Sequence, residues 1–116
     1  KSFYGVQGML ADCIIPNGVT VIEESAFSLS DGIVNLTIPS SVLTMYNESF
    51  STIKTLERVV ILAETPPTIP DVTSSTVNMF SKIDSLVSIT VPKGCGATYK
   101  SHLVWRSYAD YIVEAT

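Results

Sequence analysis

The chain has 116 residues, 46% of them apolar and 16% charged, with a net charge of −4. This length suits one domain, and so apolar a composition excludes disorder. The acidic balance, with a pI near 4.7, argues against nucleic acid and anionic membranes as partners, both of which select basic patches, and no run of about eighteen apolar residues exists to insert in a bilayer.

In chain order, residues 1–10 lack the apolar core of a signal peptide, and Lys1 reads as a boundary rather than a natural beginning. Tyr4 and then Leu10-x-x-Cys13-x-Ile15-Pro16 open a pattern, while residues 5–9 fill no recognisable helix, so this end is either an improvised cap or a cut surface. Asn17-Gly18 is a turn dipeptide whose residues both tolerate positive φ. The β-branched run Val19-Thr20-Val21-Ile22 predicts a second short extended segment. Glu23 to Phe27 suits one helical or 3₁₀ turn with its acids at the N-terminal end.

The frame then repeats. Measured back from Pro39, apolar residues sit six, three and one positions earlier at Ile33, Leu36 and Ile38, with an aromatic twelve earlier at Phe27. Shifting by 23 residues gives Leu10, Cys13, Ile15 and Tyr4 before Pro16, and Leu56, Val59, Ile61 and Phe50 before Leu62; a further copy precedes Pro92, with Leu86, Ile89, Val91 and Phe80. About four units of period 23 predict a repeat solenoid, in which each unit buries its apolar face only by stacking on its neighbours. The strands, about Asp12 to Ile15, Asn35 to Ile38, Arg58 to Leu62 and Val87 to Val91, must run parallel and in register. Prolines 16, 39 and 92 stop the pairing because they lack a donor.

From Leu62 to Pro92 is 30 residues, seven more than the period. The surplus is placed at 63–76, where Pro66 and Pro67 enforce an extended run expected to bulge from the framework. Loops carry function more often than frameworks, though a plain spacer is the simpler expectation. After Pro92, Lys93-Gly94-Cys95-Gly96 turns, and residues 97–116 supply Tyr99, Leu103, Trp105, Tyr108, Tyr111 and Ile112, enough to cover the open end of the core with a short helical cap. The whole chain is thus one domain, repeats over 1–96 and a cap over 97–116.

Chemistry is scarce. Cys13 holds an inward repeat position and serves as a small apolar residue; Cys95 is three strand steps away, beyond the roughly 7 Å Cα limit of a disulfide, so no intramolecular bridge is expected. His102 and Cys95 lack a third orienting group, so no catalytic set is expected. One His and two distant Cys cannot build a tetrahedral metal site, Gly94-x-Gly96 lacks the rest of a dinucleotide pattern, and no cofactor is implied. Asn35-Leu36-Thr37 and Asn47-Glu48-Ser49 read as glycosylation sequons.

The outward strand face is the surface to examine, because side chains alternate across a strand. It comprises a row Asp12, Asn35, Arg58 and Ser88 and a row Ile14, Thr37, Val60 and Thr90: mildly polar, one charge of each sign, no aromatic platform for a sugar. Such a face suits extended binding in repeat proteins; strand propensity alone explains its β-branched residues equally well.

The run Ile15-Pro16-x-x-Val19-x-x-Ile22-x-x-x-Ala26-Phe27 resembles the BspA-like (Treponema pallidum-type) leucine-rich repeat of bacterial surface proteins. Thr65-Pro66-Pro67, Val91-Pro92-Lys93-Gly94, Tyr99-Lys100, Trp105 and Ile112-Val113-Glu114 are similar to the C-terminal arrangement of Bacteroides-type secreted members. Glu23 stands where the family usually has Gly, a frequent loop Cys is absent, and Leu62 replaces a proline. The resemblance implies a right-handed leucine-rich-repeat fold in an extracellular or surface-anchored bacterial protein, a non-enzymatic module binding a protein or surface ligand. It also implies the C-terminal piece of a longer protein. The alternative is a structural spacer and cap for a longer array with no ligand of its own. An exposed N-terminal repeat edge is expected to permit self-association.

Overall fold

A computed structural model of the chain describes residues 2–3, 11–23, 32–46, 53–70, 85–102 and 104–115. The expected inward residues Tyr4, Leu10, Phe27, Phe50, Phe80 and Leu103, and the turn expected after Glu23, lie outside them.

Two sheets form. One is five-stranded in the order β2 (Asp12–Ile14), β4 (Asn35–Ile38), β6 (Arg58–Ile61), β7 (Ser88–Val91), β8 (Ile112–Glu114). The other is three-stranded, β1 (Ser2–Phe3), β3 (Val21–Ile22), β5 (Thr44–Met45). All pairs are parallel. From β1 to β6 the chain visits the sheets alternately, and Asp12 pairs with Asn35, Asn35 with Arg58, and Arg58 with Ser88, the register the spacing predicts. The second sheet answers to the β-branched run at 19–22, with Val21 on Thr44 at the same interval.

Alternation sets the core. Cys13, Leu36, Val59, Ile89 and Ile112 follow one another across the five strands, and all five are buried. Ile15, Ile38, Ile61 and Val91 form the next buried row, and Ile22 and Met45 close the core from the second sheet. Full burial of such a side chain contributes about 1.5–3 kcal/mol, so the two rows rather than strand propensity hold the sheets together.

The prolines end strands as expected, and each then opens a tight turn. Val19 N–H donates to Pro16 O and Val42 N–H to Pro39 O at 3.3 Å, and Cys95 N–H to Pro92 O at 3.0 Å. Gly18 (φ 98°) and Gly94 (φ 88°) occupy the third place of their turns, where the left-handed region excludes most side chains. Among the described residues no such bond closes Leu62–Thr65, where leucine stands for proline.

The Pro-rich segment departs from expectation. It does not bulge: Pro66, Pro67 and Ile69 are buried, and Thr68 forms a parallel bridge with Thr44 at the edge of the second sheet. Thr68 N–H donates to Leu43 O, and Met45 N–H to Thr68 O, both at 2.9 Å. Prolines supply no donor, but this position needs donors only from Thr68 and Met45. The surplus residues therefore fall mostly later. Ile38 to Thr44 is six steps and Ile61 to Thr68 seven, whereas Thr44 to Arg58 is fourteen and Thr68 to Ser88 twenty. One extra residue precedes Thr68 and six follow it.

The C-terminal region is only partly helical. A short helix α1 (Gly96–Ser101) leads into 3₁₀ turns over Trp105–Tyr111, broken at Tyr108, and then into β8. Tyr99, Trp105 and Tyr108 are buried as expected, while Tyr111 is exposed. Two buried hydrogen bonds tie this region to the Pro-rich segment: Tyr99 O–H to Ala63 O (2.6 Å) and Trp105 Nε1–H to Pro67 O (3.1 Å). Desolvation pushes the Tyr99 phenol far above its ordinary value, with Cys95 adding to the effect, so it stays a donor.

Glu114 ties β8 to the same region. Its carboxylate accepts from Gly94 N–H (3.1 Å) and Gly96 N–H (2.9 Å). Those bonds, with a smaller contribution from Lys100 and Lys93, hold the carboxyl below the usual glutamate value. A depressed folded-state pKa contributes stability above the unfolded value and loses it as pH falls through the folded one. Titrated from neutral pH downward, the Gly94 and Gly96 amide resonances should move together below the ordinary glutamate range and stay flat in Glu114→Gln.

Candidate binding face

Among the described residues, no group of three or more His, Cys, Asp or Glu is placed to hold a metal. Cys13 is a buried free thiol whose pKa burial raises, so its reactive thiolate is disfavoured. His102 is engaged structurally: its Nδ1 accepts from Val104 N–H (3.2 Å) and Trp105 N–H (3.5 Å), and partial burial lowers its pKa.

The outward face of the five-stranded sheet is where the spacing places it. Asp12, Asn35, Arg58 and Ser88 align across β2, β4, β6 and β7, and Ile14, Thr37, Val60 and Thr90 align two residues on. None of the eight is buried, and Ile14 is 73% exposed.

The first row is a chain of contacts rather than a set of free groups. Asn35 Nδ2–H donates to Asp12 Oδ1 at 2.7 Å, and Arg58 Nη1–H reaches Asn35 Oδ1 at 3.4 Å and Glu57 Oε1 at 3.2 Å. Glu57 thus joins the charged groups of this face, which carries two carboxylates and one guanidinium rather than one charge of each sign. The ladder orients Asn35 within the sheet, so its sequon nitrogen is already bonded. The Glu57–Arg58 pair is solvent-exposed, hence worth no more than about 1 kcal/mol.

Sequence reasoning missed the fifth strand of this face. Because Ile89 pairs with Ile112 and Thr90 with Val113, Val113 extends the second row, and Tyr111, the last residue of the 3₁₀ turns, immediately precedes β8. Both are exposed, at 48% and 38%, on either side of buried Ile112. The signal was present, since Ile112 lies 23 residues after Ile89, but no proline follows it and Glu114 stands where the frame expects an apolar residue. The second row therefore reads Ile14, Thr37, Val60, Thr90, Val113, β-branched throughout. The face divides into a bonded ladder on β2, β4 and β6 and neutral row positions on β7 and β8, where Ser88 and Thr90 carry hydroxyls.

A family model described as "BspA type Leucine rich repeat region (6 copies)" matches residues 1–103. Among curated proteins, no match is found.

Proposed function

This chain belongs to the BspA-type leucine-rich repeat family, and we propose that it is a non-enzymatic binding module whose outward sheet face holds a protein or surface ligand. On this reading the chain is a right-handed solenoid of period 23, one domain with repeats over 1–96 and a cap over 97–116, and it acts outside a bacterial cell or on its surface in an adhesin-like role. The observation that carries it is the in-register face itself. Five parallel strands present Ile14, Thr37, Val60, Thr90 and Val113 in one outward β-branched row, beside a polar row in which Asn35 bonds both Asp12 and Arg58, and Arg58 bonds Glu57. A rigid, preorganised surface binds without the entropic cost of ordering side chains.

The second reading is a spacer and terminator of a longer array, favoured by a ladder whose polar groups already bond one another. One experiment separates the two. Beads coated with the chain are scored for adhesion to immobilised extracellular-matrix proteins and to bacterial cells, beside a Thr37→Arg/Thr90→Arg variant. Both positions face solvent, so the unfolding midpoint should stay within about 0.5 kcal/mol of the parent. Adhesion lost at unchanged stability supports the binding module. No adhesion by the parent, or adhesion indifferent to the two arginines, favours the spacer.

Self-association belongs to the same proposal. β2 is an edge strand of the five-stranded sheet, and an open edge pairs with another chain.

A further inference from the structure

The two departures of the third repeat from the common pattern meet at one place. Leu62 stands where the other units have Pro16, Pro39 and Pro92, and Glu64 stands 23 residues after Ser41. Ser41 closes the space between successive turns: its Oγ accepts from Gly18 N–H (3.0 Å) and donates to Val19 O (2.7 Å). Glu64 makes no corresponding bond to the turn before it among the described residues, and Leu62–Thr65 is not closed by the turn bond of its counterparts. The result is an open groove between Ser40–Leu43 on one side and Leu62–Thr65 on the other. Leu43 (66% exposed) and Leu62 (50%) line it, with the exposed carboxylate of Glu64 beside them.

We propose that this groove is a second interaction site, docking an extended segment of a partner protein that presents a large aliphatic side chain and, two residues on, a lysine or arginine. Side chains two apart in an extended segment lie on one face, about 6.5–7 Å apart. The aliphatic group settles between Leu43 and Leu62, removing apolar surface of both leucines from water. The cation meets Glu64 in a chain whose net charge of −4 favours a basic partner. The groove is lined by residues that follow β4 and β6, none of them among the eight of the outward strand rows.

The test is an amide-resonance titration of the ¹⁵N-labelled chain with the blocked peptide acetyl-Gly-Leu-Ser-Lys-Gly-amide. Saturable shifts are expected at Leu43, Leu62, Ala63 and Glu64, weakening with added salt. Replacing the peptide lysine with glutamate should weaken binding about tenfold, and Glu64→Lys should reverse that preference. Glu64→Ser restores the residue that bridges the preceding pair of turns and should abolish the shifts while leaving the rest of the spectrum in place. No shift at millimolar peptide, shifts confined to the strand rows, or equal binding of both peptides by parent and Glu64→Lys chains would overturn the proposal.

Discussion

Replacing Trp105 with alanine should cost the chain about 3–5 kcal/mol, a large part of the roughly 5–15 kcal/mol that holds a domain of this size together. The indole is fully buried, its Nε1–H donates to Pro67 O, and it meets the Tyr99 ring edge-on at 5.7 Å between centroids. Removing it opens a cavity between the Pro-rich segment and α1 and strands a buried carbonyl. Tyr99→Phe makes a smaller change: it keeps the ring and loses only the hydrogen bond to Ala63 O, which should cost about 1–3 kcal/mol. Urea unfolding of the two variants and their double mutant measures the coupling across the ring pair, expected at about 0.5–1.5 kcal/mol. The consequence reaches the binding face, because the segment that Trp105 anchors leads directly into β8. In Trp105→Ala the Val113 and Glu114 amides should lose hydrogen-exchange protection before those of β4 and β6. Equal loss across all five strands would instead mean that the C-terminal region and the repeats unfold as one unit.

The repeat was legible because its physics is local and repeated. A strand of three or four residues needs one buried side chain between two exposed ones, and Cys13, Leu36, Val59 and Ile89 state that requirement four times at matching offsets from Pro16, Pro39, Leu62 and Pro92. The errors came where a residue's partner is distant in sequence. Pro66 and Pro67 read as an outward bulge because they enforce an extended run. What the position asks of them is a buried ring face and an acceptor, and the donor for Pro67 O sits 38 residues later on Trp105. β8 was missed for the related reason that Glu114 looks wrong for the place Val91 fills one strand earlier; on β8 that place is exposed, and Gly94 and Gly96 hold the carboxylate there. On the outward face the rows were readable from alternation, but the ladder was not, since Asp12, Asn35, Arg58 and Glu57 reveal their mutual bonds only once three strands are laid side by side.

The centre of the stack should be the most sensitive part of the repeats. Leu36 is fully buried on β4, with Cys13 beside it on β2 and Val59 on β6, so it packs on a neighbour to each side, whereas Ile112 on β8 has a strand on one side only. In a repeat array, stability is a sum of weak units and nearest-neighbour interfaces, and Leu36→Ala damages two interfaces at once. The expected loss is about 3–5 kcal/mol, toward the upper part of the range for buried leucines because sheets pinned on both sides cannot collapse into the void. Ile112→Ala should cost less, about 2–3 kcal/mol, since the open side of β8 leaves room to relax. Leu43→Ala, at an exposed position, serves as the control and should stay within about 0.5 kcal/mol of the parent. Urea denaturation with an unchanged m-value would read these as stability alone. If Ile112→Ala proved as costly as Leu36→Ala, the nearest-neighbour account would fail, because stability would then depend on the whole stack and not on how many interfaces a residue touches.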